Sequence, residues 1–146
     1  MAQKTTADGL SQAEREAVKQ RAKELREQAK AGKNREAGTT AVREAIDKLE
    51  GTDKQIAEGM YAVVSDVAPD LVPKTYYGMP GFANADGKTV VFVQPAAKFG
   101  TRYATLGFEQ PAHLDDGDMW ATAFAITAWT DDVERRVREL VTRAVS

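Results

Sequence analysis

The sequence predicts an α+β fold, in which helices fill the first half of the chain and an antiparallel sheet of about five strands, closed by one more helix, fills the second. Three observations carry that expectation. Apolar residues recur at helical spacing up to Ala68. Beyond Tyr76 the pattern changes to short or alternating apolar runs separated by Gly, Pro and Asp-Gly signals. Thr130 then opens a last stripe at helical spacing.

The chain has 146 residues, 42% of them hydrophobic, enough for one domain with a proper core and too few for two. The expected division is an N-terminal basic helix and linker over 1–38 and an α+β domain over 39–146. The formal charge of -2 arises from 20 basic and 22 acidic side chains, which argues against a nucleic-acid or acidic-membrane partner for the chain as a whole. The balance is uneven: Arg15 to Arg35 holds eight Lys/Arg against three Glu, and Glu109 to Asp118 holds four acids and no Lys or Arg. Cysteine is absent, which removes disulfides, thiolate nucleophiles and Cys-type zinc sites. The first eight residues lack the apolar centre of a signal peptide, and no run nears the ~18 apolar residues of a membrane span. The expectation is a cytoplasmic protein, monomeric or weakly dimeric.

In chain order, Ser11-Gln12-Ala13-Glu14 reads as a capping box. The helix it opens, to about Ala31, carries only the thin stripe of Leu10, Val18, Ala22, Leu25 and Ala29. Gly32 to Gly38 lacks periodicity and reads as a linker. Thr39 or Thr40 caps a second helix through Val42, Ile46 and Leu49, ended by Gly51. A second capping box, Thr52 to Gln55, opens the central helix, with Ile56, Met60, Val63, Val64 and Val67 on one face. Pro69 and Pro73 end it and turn the chain into a first strand.

Tyr76 and Tyr77 favour that strand, and Gly78, Pro80 and Gly81 force a corner that buries Met79 and Phe82. Asp86-Gly87 signals a hairpin into Lys88 to Gln94, whose four consecutive apolar residues mark an inner strand. Pro95 to Gly100 is a connection. Thr101 to Phe108 then sets Arg102, Ala104, Leu106 and Phe108 on one face and Tyr103 on the other. After an acidic loop, Met119 to Thr127 places Trp120, Phe124 and Ile126 on one face and Ala121, Ala123 and Ala125 on the other. Thr130 caps a last helix buried through Val133, Val137, Leu140, Val141 and Ala144.

Tyr77-Gly78-Met79-Pro80 after a proline-bracketed helix end, the strand Lys88 to Gln94, Lys98, the strand Thr101 to Phe108, and the closing strand and helix together resemble the YdhG-like domain of unknown function. The resemblance covers about residues 40 to 145. The basic N-terminal helix is similar to an extension of actinobacterial members. The resemblance implies an antiparallel sheet packed by helices. Because the family includes a bacterial member proposed as a frataxin-like iron chaperone, it also implies iron handling as an alternative function.

Two constellations are candidates for binding. Tyr76, Tyr77, Met79, Phe82, Lys98, Arg102, Tyr103 and Trp120 offer apolar walls and two cations, suited to a small anionic or planar ligand or a protein partner. Glu109, His113, Asp115, Asp116 and Asp118 offer hard oxygen ligands and one imidazole, suited to iron or another divalent ion. Catalysis finds less support: no Gly-x-Ser-x-Gly surrounds a nucleophile, His113 is the one histidine, and the glycines do not form a phosphate-binding loop. The sequence therefore favours a binding module without enzymatic activity and without a resident cofactor.

Overall fold

In the central helix, Met60 lies four residues after Ile56, and Val63 and Val64 lie three and four after Met60, and all four are fully buried. A computed structural model of the chain describes residues 12–146 and orders its elements around that helix. Helix α1 spans Gln12–Asp47, α2 spans Gly51–Val67, and the short α3 spans Ala96–Phe99. Helix α4 spans Asp131–Ala144. The strands are β1 (Val72–Pro73), β2 (Gly81–Ala83), β3 (Thr89–Gln94), β4 (Ala104–Phe108) and β5 (Ala123–Ile126). They form one antiparallel sheet in the order β1-β2-β3-β4-β5, so every strand pairs with its neighbour in sequence. The α+β class with a five-stranded antiparallel sheet is therefore the observed one.

Contacts divide the chain into two compact units, Met1–Glu36 and Ala37–Ser146. Within the first unit α1 begins at Gln12, with Val18 more than half exposed. The expected cap at Ser11, the apolar Leu10 and the first residues lie outside the described residues. In the second unit, one face of the sheet carries Phe82, Val91, Val93, Leu106 and Phe108, which pack with α2 and with Val137 and Val141 of α4. Val42 and Ile46, on the last turns of α1, form a smaller cluster with Ala57. Thr130 caps α4 as expected, accepting a hydrogen bond from the Val133 N–H at 3.2 Å. Among the described residues no helix is long and apolar enough to cross a membrane.

Five local expectations are corrected. The stretch from Gly32 to Gly38 is helical, and α1 runs through it without a linker. Gly38 serves close approach here: a Cβ on it would stand 1.9 Å from the Pro73 carbonyl oxygen. A separate helix starting at Thr39 or Thr40 and closed by Gly51 does not exist, because α1 ends at Asp47 and Gly51 instead opens α2. Thr52 is not the cap of α2, whose N-cap is Glu50 without a side-chain bond. Finally, the two tyrosines lie in a turn and not in a strand, and the long strand expected from Met119 shortens to Ala123–Ile126.

Candidate functional site

The corner at Tyr76–Met79 is a two-residue hairpin. Tyr76 and Met79 exchange backbone hydrogen bonds of 2.8 Å in both directions, and the two residues between them have positive φ, 48° at Tyr77 and 79° at Gly78. Positive φ at both central positions belongs to the type I′ turn, whose twist matches that of antiparallel strands. Glycine adopts it freely, whereas at Tyr77 it costs about 1–2 kcal/mol. That cost is not repaid by burial, since Tyr77 is 84% exposed and touches Tyr76 edge-on at 4.7 Å.

Tyr76 itself is half-buried against Phe92, with ring centroids 4.9 Å apart, and its hydroxyl donates to Glu109 Oε1 at 3.2 Å. Burial raises the Tyr76 pKa above the usual tyrosine value, and the neighbouring Glu109 carboxylate raises it further, because both oppose a phenolate. At neutral pH the hydroxyl is a fixed donor. The ring and its bond to Glu109 tie the hairpin to the open face of the sheet.

Beneath the hairpin lies a groove of about 620 Å3. Thr75, Gly78, Met79 and Pro80 form one side, Pro95, Ala97 and Lys98 another, and Ala41, Glu44 and Ala45 of α1 with Lys48, Leu49 and Glu50 after it the end. Its floor is held by Asp53, a carboxylate only 8% exposed. Asp53 leaves its own helix end to accept from the backbone N–H groups of Ala96 at 2.9 Å and Ala97 at 3.0 Å. Those donors open α3, where orphan N–H groups and a negative charge suit each other. Lys98 is the cation of the hairpin side, its Nζ 3.7 Å from where a Cβ on Gly78 would stand.

The eight residues expected in one pocket are thus separated. Met79 and Lys98 line the groove with Gly78, and Met79 is nearly buried. Phe82 points into the core, its ring 5.4 Å from that of Tyr61. Arg102 lies over Tyr103 at 5.5 Å, and both line a second cavity of about 360 Å3 that shares Glu50, Asp53 and Ala97 with the groove. Trp120, 39% exposed, lines neither cavity.

The acidic set is not assembled either. Glu109 is engaged by Tyr76, the His113 ring lies 2.8 Å from the Ser146 carbonyl oxygen through Nδ1, and Asp115, Asp116 and Asp118 are exposed. Among the described residues no three His, Asp or Glu side chains are close enough to hold a metal ion together. Sequence reasoning missed Asp53, Lys48 and Leu49 as groove residues. Leu49 carried a signal, as the last member of the Val42–Ile46 stripe; Asp53 carried none, because its partners Ala96 and Ala97 are brought to it only by folding. Comparison with family models, with curated proteins and with solved structures finds no match to this chain.

Proposed function

We propose that this chain is a small non-enzymatic binding module whose site is the groove beneath the Tyr76–Met79 hairpin. The observation that carries the reading is the groove itself, about 620 Å3 in volume, within the range of small-molecule sites. Its walls combine Met79, Pro80, Pro95 and Leu49 with charges of both signs, Lys48 and Lys98 against Glu44 and Glu50, and the ligand that suits them is a planar apolar body whose one negative group lies at the Lys98 side. The strained, exposed Tyr77 supports the same reading, because a backbone cost without burial is characteristic of positions kept for recognition. Catalysis has weaker support here: the buried carboxylate, Asp53, spends both oxygens on backbone donors.

The test is a screen of aromatic carboxylates monitored by backbone amide chemical shifts of the full chain. Binding is expected to move Thr75, Gly78, Ala97 and Lys98 together, and Lys98→Glu is expected to weaken the best hit by at least ~10-fold, the loss of about 1.4 kcal/mol. Shifts confined to other surfaces, or a hit indifferent to Lys98→Glu, would contradict the assignment.

A further inference from the structure

The sheet has two edges, and they are built differently. The β1 edge is two residues long and ends in Pro73, which has no N–H to offer, so it is closed to further pairing. The β5 edge, Ala123-Phe124-Ala125-Ile126, carries no charge, no proline and no bulge. Its hydrogen-bonding parity follows from the register. The Phe108 N–H donates to the Thr122 carbonyl at 2.8 Å, and Phe124 and Ile126 lie opposite Leu106 and Ala104. In an antiparallel ladder these alternate residues exchange bonds with β4, so Ala123 and Ala125 direct their N–H and C=O groups away from the sheet. Among the described residues nothing receives them.

Beside this edge, on the helix side, runs a groove of about 470 Å3 between β5 and α4. Phe124, Leu106, Val133 and Leu140 give it an apolar floor, while Arg136, Glu139 and Arg143 stand around it. A strand added to β5 would lay every second side chain onto that floor.

We propose that the added strand is β5 of a second copy of this chain, paired antiparallel about a two-fold axis at Phe124. Three features select a second copy over another extended peptide. With the axis at Phe124, Ala123 of each copy faces Ala125 of the other, and the outward groups match to give four main-chain hydrogen bonds. An axis perpendicular to the sheet keeps both α4 helices on one side, so the two Phe124 rings meet and cover the half-buried Val133 and Leu140. The groove carries both signs of charge, so Arg136 of one copy faces Glu139 of the other, whereas a groove of one sign would select a charged peptide. The result is a continuous ten-stranded sheet, twice the five strands of one chain.

Sedimentation equilibrium of the full chain, from micromolar to near-millimolar concentration, tests this. A monomer–dimer equilibrium is expected, and Ala125→Pro is expected to weaken it by at least ~10-fold. Proline there removes an outward donor and no bond to β4, so the fold, followed by circular dichroism, is expected to persist. Arg136→Glu is expected to weaken the dimer and Arg136→Glu/Glu139→Arg to restore it. A chain that stays monomeric throughout overturns the proposal, as does a folded Ala125→Pro variant that associates like the parent. Should Ala125→Pro fail to fold, the charge reversals decide, and association unmoved by Arg136→Glu overturns the proposal.

Discussion

At Gly59, in the middle of α2, a Cβ would stand 2.1 Å from Cε2 of Trp129, whose ring lies across the helix at that point. Helix propensity alone favours alanine there by about 1 kcal/mol. The overlap falls on the body of a half-buried aromatic ring, and such overpacking costs about 1–3 kcal/mol. Gly59→Ala is therefore expected to lower stability, by about 1 kcal/mol net, in urea unfolding followed by tryptophan fluorescence. An unchanged or raised midpoint would mean that Trp129 moves aside at no cost. The buried stripes were legible because Val42, Ile46, Ile56, Met60, Val63 and Val64 declare themselves by spacing. Gly38 and Gly59 were not, since each answers to an atom that only folding brings near: the Pro73 carbonyl and the Trp129 ring.

Between elements, the decisive bond is the one Asp53 makes across from α2 to the start of α3. Asp53→Asn keeps the size but leaves one oxygen for two part-buried donors and presents an NH2 to one of them. The expected loss is about 1–3 kcal/mol, measured by thermal or urea unfolding, with faster amide exchange at Ala96 and Ala97. Stability and exchange equal to the parent would show that the bond is dispensable. Element type was readable in the sequence for α2, β3, β4 and α4 because the apolar pattern has a clear period or run in each, and in α4 the Thr130 cap agrees with it. It failed at Tyr76-Tyr77, where strand propensity lost to the turn that Gly78 permits, and at Gly32 to Gly38, where two glycines sit inside a continuous helix. The candidate site was half visible for the same reason: Met79 and Lys98 belong to the stretches the motif marks, while Lys48 and Leu49 come from the turn between α1 and α2, and Asp53 from α2.

For the molecule as a whole, the core clusters contain no residue before Val42 among those described. Removing residues 1–36 is therefore expected to leave a cooperatively folding chain whose midpoint falls by less than ~5 °C, about 1 kcal/mol for a domain of this size, in differential scanning calorimetry. A broad transition, or a fall beyond ~10 °C, would assign the first unit a part in the core. The sheet order carries a different consequence, for the route by which the chain reaches this state. Because each strand pairs with the one beside it in sequence, the meander can zip from hairpin to hairpin, each closure linking segments already close along the chain. Helix α4 is the exception: it docks on α2, and Arg138 reaches back 72 positions to Asp66, at 2.5 Å. Docking α4 on α2 is therefore a long loop closure, and Val137 and Val141 complete the cover that α2 begins over the apolar face of the sheet.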